Sequence, residues 1–95
     1  MSRTIARVDS VFQALSDPTR RRVIERLSKG PASVSELAEP FAMAFPSFVQ
    51  HLAVLEHGGL VRSTKTGRVR TYRLVPRALK LAEDWLSRQR SHGTR

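Results

Sequence analysis

The stretch from Ser33 to Leu60 constrains this 95-residue chain more than any other. Ser33 is a good helix N-cap, and Glu36 three residues on completes a capping box that satisfies otherwise unpaired backbone N–H groups. Val34, Leu37, Ala38 and Phe41 follow at helical spacing, and Pro40 works against a long continuation. A second apolar stripe appears at Phe48, Leu52 and Leu55, spaced four and three. Pro46 suits the first turn of that helix, where its missing N–H is not needed. Gly58 and Gly59 supply the left-handed residue that stops it. Two short helices joined by a tight bend, the second with one face uncommitted, make a helix-turn-helix layout.

Charge says what such a face could meet. The chain carries 17 Lys/Arg against 8 Asp/Glu, a net charge of +9, which points to a polyanionic partner. The excess is concentrated. Seven cations (Arg62, Lys65, Arg68, Arg70, Arg73, Arg77 and Lys80) fall between residues 62 and 80 without one acid. There is no Cys, so a disulfide framework, a thiolate metal site and a catalytic thiol are excluded. No apolar run has the length of a signal peptide or a membrane span, so a cytoplasmic protein is expected. A chain this short makes one domain with a limited core, and a partner chain would help it.

Around the central stretch, Ile5, Val8, Phe12 and Leu15 predict a first amphipathic helix of about ten residues. Asp17 as N-cap and Pro18 at the first helical position start a second, with Val23, Ile24 and Leu27 inward. The run Arg20–Arg22 reads as a solvated face, with phosphate contact as the alternative. Beyond Leu60, residues 60–64 and 68–74 are strand-like, and Lys65-Thr66-Gly67 makes a turn with Gly67 available for positive φ. Such a hairpin is marginal alone, so Val61, Tyr72 and Leu74 should pack it on the helices. Pro76 opens a last helix with Leu79, Ala82, Trp85 and Leu86 on one stripe, and residues 88–95 read as a polar, frayed tail. The expected architecture is mainly α with a small β-hairpin, in the order α-α-α-α-β-β-α. This is a single winged helix-turn-helix domain over residues 1–95.

Several words, in order, make the chain resemble the ArsR/SmtB family of winged-helix transcriptional regulators. They are Phe12-Gln13-Ala14-Leu15-Ser16-Asp17-Pro18-Thr19-Arg20, Val34-Ser35-Glu36-Leu37-Ala38, His51-Leu52-Ala53-Val54-Leu55-Glu56, Gly59-Leu60-Val61 and the hairpin from Gly67 to Leu74. The resemblance implies a DNA-binding regulator, by family default a repressor, acting as a homodimer on a pseudo-palindromic operator. Its dimer would join through the first and last helices, which agrees with Ile5, Val8, Phe12, Leu79, Trp85 and Leu86 being more apolar surface than one chain can cover. The residues expected to meet double-stranded DNA are Phe45, Pro46, Ser47, Val49, Gln50 and His51 on the recognition helix, with Arg62, Lys65, Arg68 and Arg70 on the hairpin.

The chain departs from the family pattern in two ways. Relatives often have Ser at the position of Ala44, and Ser followed by Arg or Lys at Val49-Gln50. Gln50 is able to read adenine, Ser47 to bond a base or phosphate, and Val49 to offer only apolar contact. Phe45 is read as packing in the turn, with protrusion as the alternative. The second departure concerns sensing, since many relatives release DNA when metal binds to Cys pairs or to Asp and His on the last helix. Here Leu86 stands where a His partner for Asp84 would be wanted, His92 lies in the tail, and His51 and His57, six apart, point away from each other. No metal, cofactor or catalytic residue is therefore expected, and any small-molecule effector is open. Two rival readings are an enzyme, which lacks a nucleophile or phosphate-loop motif here, and a winged-helix module for protein interaction or nonspecific DNA binding.

Overall fold

The computed structural model describes residues 7–93. Its elements run α1 (Val8–Ala14), α2 (Pro18–Leu27), β1 (Ala32–Ser33), α3 (Val34–Ala38), α4 (Phe45–His57), β2 (Val61–Thr66), β3 (Val69–Leu74) and α5 (Pro76–Gly93). The sheet is antiparallel in the order β1-β3-β2. This is a winged helix-turn-helix.

Local chemistry sets most boundaries. Asp17 caps α2 by accepting from the Arg20 backbone N–H at 3.0 Å, with Pro18 beside it in the first turn. Ser33 and Glu36 form the reciprocal box at the start of α3: the Glu36 N–H donates to Ser33 Oγ at 3.2 Å, and the Ser33 N–H to Glu36 Oε1 at 2.8 Å. At the end of α4, Gly59 takes φ 82°. The Gly59 and Leu60 amides then reach back to the Glu56 and Leu55 carbonyls, each at 3.0 Å. That is a Schellman stop, and it seats buried Leu60 near buried Leu55. The chain leaves this stop directly into β2.

Phe48, Leu52 and Leu55 are buried as their spacing predicts, packed in one core with Val23, Ile24, Leu27, Leu37, Val61 and Tyr72. Burying each such apolar side chain is worth about 1.5–3 kcal/mol. The orientation of α4 is thereby fixed from below while its opposite face stays open.

Four details differ from the sequence reading. First, α1 spans seven residues, and its innermost positions are Val11 and Ala14, with Phe12 and Leu15 half-buried on the flanks; Ile5 lies outside the described residues. Second, β1 pairs Ala32 with Tyr72 and Ser33 with Thr71. Two residues are too short for an alternation to show in the sequence. Third, pairing continues to Thr66 opposite Val69, so the loop is only Gly67-Arg68, with Gly67 at φ 64° in the first central position as a type II′ turn requires. Fourth, α5 runs through residue 93, where a frayed tail was expected. Its apolar contacts end early, and Gln89 Nε2 donates to the Trp85 carbonyl at 3.2 Å along the continuing helix.

The Asp17 cap has a pH consequence. The Arg20 amide foremost, with the nearby positive charge of the Arg20 guanidinium, holds the Asp17 carboxyl below its ordinary value despite partial burial. A lowered folded-state pKa contributes stability that is fully present above the unfolded value near 3.9 and is lost as pH falls through the folded one. Asp17→Ala is expected to cost about 1 kcal/mol at neutral pH. In urea melts its difference from the parent should shrink below about pH 4.

Candidate nucleic-acid interface

The face of α4 opposite its buried stripe is built from short or apolar side chains. Pro46, Ser47, Gln50 and Ala53 are exposed, and Val49 is 38% exposed. Phe45 is 52% exposed, so it protrudes and does not pack in the turn as the sequence reading preferred. The buried aromatic of this helix is instead Phe48, its ring centroid 5.2 Å from that of Phe41 and tilted by 32°.

His51 behaves differently from its neighbours on α4. Arg20 Nη1 lies 3.1 Å from His51 Nδ1, and a guanidinium has only protons to offer. Nδ1 therefore accepts, and the imidazole proton sits on Nε2. The Asp17 carboxylate is 3.7 Å from the same nitrogen, too far for a hydrogen bond. Arg20 also donates through Nε to the Ala14 carbonyl at 2.7 Å and through Nη2 to the Gln13 carbonyl at 3.3 Å. One guanidinium thus fastens the end of α1, the start of α2 and the middle of α4.

Of the Arg20–Arg22 run, read as a solvated face, Arg21 and Arg22 are exposed as expected and Arg20 is half-buried, yet all three have partners within the chain. Arg21 Nη1 donates to the Leu15 carbonyl at 2.8 Å, and the Arg22 guanidinium lies 4.7 Å above the Phe41 ring. All three cations go to the open carbonyls at the end of α1 or to an aromatic face, where a helix terminus and a ring both attract positive charge. Sequence gives only the charges. The carbonyls and the ring that they meet are tertiary.

Arg62, Lys65, Arg68 and Arg70 are all exposed on the hairpin. Lys65, Arg68 and Arg70 line one groove with Phe45 and Val49, so the start of α4 and the wing open onto the same surface. Strand alternation puts Arg62 on the other face of the ribbon, away from that groove. Arg70 Nη1 donates to Ser63 Oγ at 2.9 Å, and Ser63 Oγ donates to Glu56 Oε2 at 3.1 Å. This chain ties the wing to the far end of α4. Sequence separation conceals it, although the cross-strand register would have placed Ser63 and Arg70 on one face. Burial foremost, and then the Glu56 carboxylate, push the Tyr72 phenol above its ordinary value, so the ring under the ribbon stays neutral.

The register also sets Arg62 opposite Arg73 and Lys65 opposite Arg70. Like charges directly across a ladder destabilise it. A line of phosphates along the groove side of the ribbon would relieve the Lys65–Arg70 pair, which faces that side.

Between α1 and α5, Phe12 and Trp85 meet edge to face with ring centroids 5.7 Å apart. Trp85 remains 39% exposed and Leu86 53%, while Leu79, Val8 and Phe12 are half-buried. Leu81, at 37%, sits one turn before Trp85 and adds to this surface, although the sequence stripe through Leu79, Ala82, Trp85 and Leu86 does not include it. Among the described residues no cluster of three or more His, Asp or Glu side chains could hold a metal ion, and no helix is long and apolar enough to cross a membrane.

With that geometry in place, the relatives are informative. The helix-turn-helix domain family matches residues 15–64. A crystal structure of an ArsR family transcriptional regulator, RHA00566, superposes with a TM-score of 0.86 at 51% identity, covering 88% of this chain and 92% of that one. The chain belongs to the ArsR family. This member is also 44% identical over 71 residues, or 75% of its length, to the HTH-type transcriptional regulator Rv2034 of Mycobacterium tuberculosis, of which it spans 66%. It is 30% identical over 79 residues to the transcriptional repressor SdpR of Bacillus subtilis, covering 83% of this chain and 88% of that protein.

Proposed function

We propose that this ArsR family member is a sequence-specific DNA-binding regulator, a repressor that works as a homodimer within the cytoplasm and acts by binding, not by catalysis. The observation that carries this reading is the shared groove: exposed Phe45 and Val49 at the start of α4 open beside Lys65, Arg68 and Arg70 of the wing. Such a surface offers a helix N-terminus to base edges in the major groove while cations grip the neighbouring phosphates. Single-domain organisation, with α1 and α5 supplying the dimer contact through Phe12, Leu79, Trp85 and Leu86, belongs to the same proposal. Two α4 helices would then fall about one DNA turn apart, roughly 34–36 Å.

Ser47 and Gln50 are the polar readers on this surface, Val49 and Phe45 the apolar ones, and Pro46 fixes the entry of α4. His51, with its proton on Nε2, donates toward the backbone. Selection of bound fragments from a random DNA pool by the purified protein tests the reading. Paired half-sites are the expected outcome, and a pool with no enriched sequence would overturn it in favour of a nonspecific module. Gln50→Ala should relax preference at one position in each half-site, a loss of about 1–3 kcal/mol in discrimination there. Uniform weakening with selectivity intact would remove Gln50 from the base contacts.

A further inference from the structure

The recognition surface lacks the residues that read guanine best. Between Lys29 and Arg62 the sequence has no Lys or Arg, so α4 and the turn before it carry no guanidinium or ammonium. Arg or Lys on guanine O6 and N7 is the commonest specific base contact in the major groove. What the first two turns of α4 present is Phe45 at 52% and Val49 at 38% exposure, with Pro46, Ser47 and Gln50. Phe45 and Val49 are one helical step of four apart, about 6 Å along the axis, on the side facing the wing.

Large apolar side chains held open to water at a base-reading position need an apolar target. The major groove offers one, the 5-methyl group of thymine. Gln50, one residue beyond Val49, matches the donor and acceptor pair of adenine.

We infer that α4 reads A·T base pairs, with Phe45 and Val49 seated against thymine 5-methyl groups, so that each half-site is recognised by methyl contact and not by cationic contact to guanine. This rests on α4 being the recognition helix, as proposed above. The wing cations supply affinity without selecting sequence. Selectivity should therefore survive at salt concentrations that weaken binding overall.

Deoxyuridine provides the test, because it removes only the methyl group and leaves the protein and the base pairing untouched. In the best site from the random pool, each thymine of a half-site is replaced in turn by deoxyuridine and binding is measured by fluorescence anisotropy. The expected result is A·T pairs at the positions under α4, and a loss of about fourfold at one or two thymines per half-site, the effect of burying one methyl-sized group. For the Phe45→Ala/Val49→Ala protein, thymine and uracil sites should bind alike, with its melting temperature confirming that the exposed substitutions leave the fold intact. Enriched sites with G·C under α4, or full affinity for every uracil-substituted site, would overturn the inference while leaving a sequence-specific regulator standing. Failure to enrich any sequence would overturn both.

Discussion

Raising monovalent salt from 50 to 200 mM is expected to weaken DNA binding by about 10³–10⁴-fold. The estimate follows from the wing. Arg62, Lys65, Arg68 and Arg70 are exposed on each protomer, and a dimer engaging three or four of them per copy makes about six to eight phosphate contacts. Each contact releases condensed counterions, so the logarithm of affinity should fall by about 0.9 per contact for each decade of salt. Arg68→Ala removes a cation from the two-residue turn and should lower the slope by about 2 in the dimer, with sequence preference unchanged. Arg70→Ala should do the same and more, because it also cuts the Arg70–Ser63–Glu56 chain that ties the ribbon to α4. The two variants are therefore separable by the affinity left at high salt, where only the second should have lost extra. A parent protein with a slope near zero would remove the wing from the contact set.

How much of this was legible in the residues themselves depends on the range of the interaction involved. Local chemistry was readable: Asp17-Pro18, the Ser33/Glu36 box and the Gly58-Gly59 stop act within four or five residues, and each sits where its chemistry puts it. The stripe Phe48-Leu52-Leu55 was readable because helix period and burial coincide. The misreadings involve contacts that span the fold. Arg20 looks like surface charge until the carbonyls of Gln13 and Ala14 and the ring of His51 arrive around it. Phe45 looks like turn packing, yet it is Phe48 that is buried, paired with Phe41, while Phe45 stands 52% exposed.

The same division holds for the candidate site. Which residues of α4 avoid the core follows from spacing alone, and the concentration of cations between residues 62 and 80 is plain. That Lys65, Arg68 and Arg70 share a groove with Phe45 and Val49, while Arg62 turns away, depends on the register of β2 against β3. That register is set by a two-residue loop one position later than the turn residues suggest, because Thr66 still pairs with Val69 before Gly67 reverses the chain.

Trp85→Ala is expected to convert the proposed dimer into monomers, with dimer dissociation raised on the order of 10³-fold. The argument starts from the ring pair. Phe12 holds Trp85 edge to face at 5.7 Å, which fixes the indole against its own α1, yet 39% of the residue is left open beside exposed Leu81 and Leu86. A preorganised aromatic with neighbouring apolar surface is the kind of residue that dominates an interface, worth about 2 kcal/mol or more when truncated. In a two-fold dimer the same residue is lost from both sides, which doubles the effect. Folding should survive, because Val11, Ala14, Ala78 and Ala82 still close α1 against α5 beneath it. Sedimentation velocity on the free protein reads the dissociation, and a urea melt at a concentration where the parent is monomeric reads the fold. The monomer should still show salt-dependent binding to any duplex but no longer distinguish one half-site from two at the selected spacing. A Trp85→Ala protein that sediments as an unchanged dimer would place the contact between protomers away from the α1/α5 face, and would break the spacing argument that sets two α4 helices one DNA turn apart.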